Sequence, residues 1–220
     1  MLVYHAFLES KGFFAKTDKQ PSGGGVLSSS YLHDFTLNYA FYEAFNARSR
    51  MLPENPDYLN DLIFFFKKFP VYVFPTVISK GSLATESLSI RPFTRAIPDI
   101  GSGANVPQWN RWLGYKQFFA ETTIMSGIQL PETFYIRLGK KRAPVQVQTQ
   151  KEKFNYAQGE YSVGLISPFV HQELKYTTGT LIKMNPSPLY LGKIDGKVIS
   201  YQINGEYLFK PCQFRLFKFD

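Results

Sequence analysis

One cysteine, Cys212, stands in a chain of 220 residues. No internal disulfide can form, and a reducing compartment is the expectation. Histidine is nearly as scarce. His5, His33 and His171 lie far apart with no cysteine companion, so no metal-ligand spacing is visible and no cofactor is expected. Long apolar runs are missing too. The longest purely aliphatic and aromatic run, Leu62 to Phe66, is far short of the roughly 20 residues that a spanning helix needs. The opening residues, MLVYHAFLESKGFF, carry neither a basic leader nor a long apolar core, so no signal peptide is expected and the protein reads as soluble and cytoplasmic. Gly-x-Ser-x-Gly, His-Glu-x-x-His and the dinucleotide fingerprint are all absent. The run Gly23-Gly24-Gly25 is not followed by Gly-Lys-Ser/Thr, so the polar stretch Thr17 to Ser30 is a flexible loop and not a phosphate-binding one.

Positive charge and aromatic rings are in good supply. The formal charge is +8, and 17% of residues are aromatic. That balance favours anionic partners such as nucleic acid or a membrane surface. The charge is concentrated. Six cations (Arg137, Lys140, Lys141, Arg142, Lys151, Lys153) and one anion (Glu152) fall between residues 137 and 153, which is five of the eight net charges. Within this stretch Phe134, Ile136 and Leu138 alternate with Tyr135 and Arg137, and Val145 and Val147 alternate with Gln146, Gln148 and Gln150. Two half-buried strands therefore flank a turn at Gly139 that carries Lys140, Lys141 and Arg142. Such a turn suits a phosphate chain, with the backbone at Gly139 free to approach it closely. The simpler alternative is a hairpin tip kept soluble by its lysines.

The rest of the chain reads as a single α+β domain. Val3 to Glu9, apolar on both faces, is expected to be a central strand, with Phe13 to Lys16 as a short partner. Ser30 is a candidate N-cap for a helix in which Leu32, Phe35, Tyr39 and Tyr42 pack on the sheet. His33 and Asn38 fall off that stripe. Solvation is their simpler role, and they are also carried as candidate RNA contacts. Asp57 caps a second helix, Tyr58 to Lys68, with Leu59, Leu62, Ile63 and Phe66 buried and Pro70 ending it. Val71 to Ile78 is a strand that Pro75 makes an edge or bulged one. Ser79 to Trp112 shows no clear period. Lys80, Arg91, Arg95 and Arg111 alternate there with Phe93, Trp109 and Trp112, a mixture suited to single-stranded nucleic acid. Burial of a tryptophan in the insertion itself is the alternative. At least one of the two rings is expected to be covered by a base or a neighbouring subunit. Tyr115 to Thr123 returns the chain to the sheet. Asp195-Gly196 and Asn204-Gly205 predict two hairpins in a C-terminal meander closed by Phe214 to Phe219.

The segment Leu32-His33-Asp34-Phe35-Thr36-Leu37-Asn38-Tyr39-Ala40, then Val73-Phe74-Pro75-Thr76, a long insertion, and Tyr135-Ile136-Arg137-Leu138-Gly139-Lys140-Lys141 follow in an order that resembles the CRISPR-associated Cas five family, type I-D branch (Csc one), of the RAMP superfamily. The resemblance covers most of residues 1–150. It implies a ferredoxin-like, RRM-related antiparallel sheet with two helices (palm 1–78 and 113–153), a thumb-like inserted hairpin (79–112) and a β-rich extension (154–220). It implies a non-catalytic subunit of a Cascade surveillance complex, holding the 5′ handle of the crRNA and capping the backbone filament. Its neighbours would be a Cas seven-like backbone subunit, the large subunit, and target DNA near the protospacer-adjacent motif. The residues themselves leave two alternatives open. One is a metal-independent repeat-RNA endonuclease using His33 with a nearby Tyr or Lys. The other is a non-CRISPR interaction protein with a basic patch.

Overall fold

The computed structural model of the chain describes residues 2–10, 14–15, 31–46, 57–77, 83–87, 108–112, 115–122, 129–138, 143–153, 155–159, 162–168, 174–184, 187–195, 198–203 and 206–209. Strand β1 (Leu2–Ser10) is followed by two short strands, β2 (Phe14–Ala15) and β3 (Tyr31–Leu32). Two helices come next, α1 (Asp34–Phe45) and α2 (Tyr58–Lys68). Then follow β4 (Val71–Val73), β5 (Thr76–Val77), β6 (Leu83–Ser87), β7 (Gln108–Trp112) and β8 (Tyr115–Thr122). A hairpin of β9 (Thr133–Leu138) and β10 (Ala143–Glu152) comes after them. The C-terminal third supplies β11 (Asn155–Gly159), β12 (Ser162–Ile166), β13 (Lys175–Ile182), β14 (Leu189–Asp195), β15 (Val198–Ile203) and β16 (Glu206–Phe209).

The main sheet has five antiparallel strands in the order β4-β8-β1-β10-β9. β1 sits in the middle, as its two-sided apolar pattern predicts. Tyr4, Ala6 and Leu8 point to one face and join Ile136, Leu138, Val145 and Val147 in the main core. Leu37, Ala40 and Phe41 of α1 close that core from above. The expected stripe of Phe35, Tyr39 and Tyr42 therefore does not pack on the sheet as a unit. Phe35 joins Val3 of β1 and Tyr72 of β4 together with Leu62 and Phe66 of α2 in a second core, whereas Tyr39 and Tyr42 both meet the Phe65 ring. The stripe is real, but only its first ring reaches the sheet, and the two tyrosines pack on the second helix. Leu32 lies on β3 and does not belong to the helix.

α2 has the predicted bounds. The Asp57 side chain accepts from the Asn60 N–H, and Leu62 and Phe66 are its buried residues. Pro75 splits the predicted strand Val71 to Ile78 in two, because it has no N–H for a ladder. β4 forms the sheet edge, and β5 leaves to pair with β3. Phe14 and Ala15 pair with Asn110 and Trp109 of β7, so β2 is not the partner of β1 that the intervening turn suggests. The stretch Ser79 to Trp112 contains regular structure after all. β6 and β7 pair antiparallel and make a three-stranded sheet with β2.

In the C-terminal third, β15 and β16 form the hairpin predicted around Asn204-Gly205, with Ile203 opposite Glu206. The Asp195-Gly196 hairpin does not form. β14 lies between β12 and β13, whereas β15 belongs with β11 and β16. A turn dipeptide permits a reversal but does not choose the neighbour. Packing chooses it, here by burying Ile166, Leu174, Tyr190 and Ile194 together. Gly179 and Gly192 face each other on β13 and β14. A Cβ at Gly192 would lie 2.2 Å from the Thr178 carbonyl oxygen and 2.8 Å from the Tyr190 hydroxyl, so only glycine admits this approach. The predicted strand Phe214 to Phe219 lies outside the described residues.

A buried polar cluster joins these parts at the start of α1. His33, not Ser30, is the residue before the first helical turn. The Asn38 amide donates to the Val73 carbonyl and accepts from the Val73 N–H, at 2.8 and 2.9 Å. It thus satisfies both backbone groups of Val73 at the β4 edge as a neighbouring strand would. The Tyr72 hydroxyl donates to Asp34 Oδ2 at 2.9 Å. On its other side His33 Nε2 lies 3.1 Å from both the carbonyl oxygen and the hydroxyl of Ser187, ahead of β14.

Two predictions follow from these contacts. His33→Ala leaves the Asp34 carboxyl buried without its ring partner and should cost roughly 3–5 kcal/mol of stability, the usual range for breaking a buried pair. Asn38→Ala should cost about 1–3 kcal/mol, because both backbone groups of Val73 lose their partner. Urea titrations of the two variants check these values, and an unchanged midpoint for His33→Ala would remove the cluster from its central place. The second concerns the helix pair. Burial, then the hydrogen bond from its hydroxyl to Asp61, hold the Tyr39 phenol neutral well above its ordinary pKa of 10.0. Above that pH the unfolded chain loses this proton and the folded chain keeps it, so stability falls as pH rises. Tyr39→Phe should flatten that alkaline decline when unfolding is followed from pH 8 to 11.

Candidate nucleic-acid interface

β9 is built by alternation. Ile136 and Leu138 are buried in the main core, and Phe134 packs its ring against Phe41 and Phe45 of α1. Thr133, Tyr135 and Arg137 consequently stand on the opposite face, and all three are exposed. Arg137 lies opposite Pro144, and the next pair, Leu138 with Ala143, is the last of the ladder. Gly139, Lys140, Lys141 and Arg142 connect these strands and lie outside the described residues. Arg137 is thereby held two positions from the cationic connection, on a strand anchored by two buried neighbours.

The remaining cations of this stretch are elsewhere. Lys151 stands seven positions beyond Pro144 on β10, about 24 Å along the strand at ordinary rise. Its ammonium donates to Gln129 Oε1 at 3.2 Å. Lys153 follows it at the same end. Arg137 and Lys151, which belong to one basic stretch of sequence, therefore lie near opposite ends of the β9–β10 hairpin.

His33 and Asn38 are not solvated. Their exposures are 1% and 5%, and their polar atoms serve the cluster at the start of α1. Trp109, Arg111 and Trp112 lie on β7, where Trp109 is opposite Ala15 on one side and Glu86 on the other, and Trp112 is opposite Leu83. Their side chains, and with them any covering of a tryptophan ring, lie outside the described residues, as do Arg91 and Arg95.

One arrangement was not legible beforehand. Ser187 Oγ, His33 Nε2 and His33 Nδ1 with Asp34 Oδ1 form the connectivity of a nucleophile, a base and a carboxylate. The hydrogen positions decide its use. The Ser187 carbonyl oxygen, as close to Nε2 as the hydroxyl is, can only accept, so Nε2 carries hydrogen. That nitrogen has no lone pair for the serine proton. At Nδ1 two contacts compete, since the Phe35 N–H needs an acceptor there at 3.3 Å and Asp34 Oδ1 stands 2.5 Å away. Nδ1 is thus enclosed between the helix backbone and the Asp34 carboxyl. This arrangement binds the helix to the C-terminal strands. It also leaves His33 no open nitrogen within reach of a substrate hydroxyl. Among the described residues no three His, Cys, Asp or Glu side chains gather as a metal site, and no helix is long and apolar enough to cross a membrane.

The chain matches the family described as type I-D CRISPR-associated protein Cas5/Csc1 over residues 1–218. No curated protein matches it. Among solved structures it is similar to a crystal structure of a CRISPR protein from Archaeoglobus fulgidus, at 13% identity and a TM-score of 0.44, over 96% of this chain and 100% of that one. A likeness at that level carries no argument about function. The family match covers the segments Leu32–Ala40 and Tyr135–Lys141 alike, and on it the chain belongs to the type I-D CRISPR-associated Cas5/Csc1 family.

Proposed function

We propose that this Cas5/Csc1 family member is a non-catalytic Cascade subunit that binds the 5′ handle of the crRNA and caps the backbone filament. The observation that carries the reading, beside the family itself, is the placement of Arg137. It is exposed at the end of β9, next to a connection that contains Gly139, Lys140, Lys141 and Arg142. Arginine can hold a phosphate through two parallel bonds, whereas lysine acts as a point charge. Arg137 and Arg142 therefore set the RNA path, and the lysines add salt-dependent affinity.

The finer reading of the fold belongs here as well. The five-stranded antiparallel sheet with two helices serves as a ferredoxin-like, RRM-related palm, and the β2-β7-β6 sheet carries the thumb with Arg91, Arg95, Trp109, Arg111 and Trp112. Both helices come between β1 and β4 in the described chain, so the topology supports a ferredoxin-like palm only in outline. The Cas seven-like backbone subunit, the large subunit and target DNA near the protospacer-adjacent motif are the other partners of this reading.

Replacing Lys140 and Lys141 together with glutamine removes up to two phosphate contacts. The slope of log affinity against log salt for crRNA should flatten by roughly 1.4 at most, by the single-strand relation. The unfolding midpoint should hardly move, since lysines in the connection of a hairpin generally contribute little to stability. An unchanged salt slope would make the connection a solvated hairpin tip and shift the anion site to the insertion.

A further inference from the structure

Tyr135 is exposed over 57% of its surface in the middle of β9, between half-buried Phe134 and buried Ile136. Among the described residues its ring has no aromatic neighbour and its hydroxyl no hydrogen-bond partner. Phe64 of α2, the other largely exposed ring among the described residues, is differently placed. It contacts Tyr42 and Phe65, with Lys68 Nζ 6.0 Å from its centroid. Arg137 follows Tyr135 on the same face, about 6.8 Å along the strand. Register puts Gln146 beside Tyr135 and Gln148 beside Thr133 on β10. Both glutamines are half-buried, so their positions are restricted while an edge of each remains open. The acidic groups on this face lie further in or further along. Glu9 on β1 is half-buried across from Gln146, and Glu152 at the far end of β10 is 3.5 Å from His5 Nδ1.

We propose that this face of the β9–β10 hairpin is a stacking platform for one unpaired RNA base. The base lies on the Tyr135 ring, the adjoining phosphate meets Arg137, and the amides of Gln146 and Gln148 border the base edge. The inference rests on the RNA-binding reading above and adds a site to it. The occupant follows from the chemistry. A ring offered face-on beside a cation and neutral amides suits a nucleobase with its phosphate. The strand leads directly into the most basic stretch of the chain. RNA following the connection at residues 139–142 would reach this face by continuing along β9.

The test is fluorescence anisotropy with the full chain and a labelled single-stranded RNA ten nucleotides long, at several salt concentrations. Tyr135→Ala should weaken binding roughly 5- to 150-fold, the worth of one stacked base, with the salt slope unchanged. Tyr135→Phe should bind as the parent does, since the ring is retained. Arg137→Gln should flatten the slope by about 0.7, one single-strand phosphate contact. Phe64→Ala, an exposed ring on α2, should change neither. Parent-like binding by Tyr135→Ala, with weaker binding after replacement of Lys140 and Lys141, overturns the platform and leaves the RNA-binding reading standing. If the parent chain itself shows no salt-dependent RNA binding, both fall. If Tyr135→Ala binds RNA normally but no longer assembles with a neighbouring Cascade subunit, the face is a protein interface and the platform is likewise overturned. Unchanged thermal unfolding of each variant accompanies every comparison.

Discussion

The start of α1 is the constraint on which the other parts depend. Three polar side chains within six residues, His33, Asp34 and Asn38, are buried there and point in different directions. Asn38 completes the hydrogen bonding of the β4 edge, Asp34 accepts from Tyr72 on the same strand, and His33 reaches Ser187 across 154 positions of sequence. Buried polar groups are costly unless satisfied and specify one arrangement when they are. The cluster therefore holds helix, main sheet and C-terminal strands in one registration. Apolar packing alone would permit several.

With α1 fixed on one face of the sheet, the strands have an inside and an outside. Tyr4, Ala6, Leu8, Ile136, Leu138, Val145 and Val147 face the helix. Strand alternation then sends Tyr135 and Arg137 outward without further instruction. The candidate interface is thus a consequence of the core. The residues that bury β9 are the alternate neighbours of the residues that β9 offers to a ligand. This coupling also explains why a charge run in the sequence is a poor guide to a surface. Arg137 and Lys151 belong to one run in sequence, yet the length of β10 separates them.

Family and structure meet at the same segments. Leu32–Ala40, which carried the resemblance, supplies the His33, Asp34 and Asn38 side chains of the polar cluster, and Tyr135–Lys141 begins on the strand that this cluster helps to position. The first segment serves the fold, since its histidine and asparagine are enclosed. The second places Tyr135 and Arg137 on the exposed side of the sheet. Segments that carry a resemblance can thus hold a packing requirement in one place and a surface in another, and burial separates the two.

By itself the sequence determined what local patterning can determine. The apolar character of Val3–Glu9 on both faces required a central strand, the Asp57 cap and Pro70 bounded α2, and the alternation from Phe134 to Gln150 set the β9–β10 hairpin and its outward residues. These features depend on neighbours within a few positions, where backbone geometry and side-chain period are nearly fixed. Tertiary structure decided the rest. It turned Tyr39 and Tyr42 of α1 toward Phe65 of α2, moved β2 from β1 to β7, and separated β14 from β15 despite the Asp195-Gly196 dipeptide between them. It also enclosed His33 and Asn38, whose partners at Ser187 and Val73 no local pattern announces. In each case the outcome rests on which distant surface was free to bury a face or satisfy a polar group, and that competition is settled only when the whole chain packs.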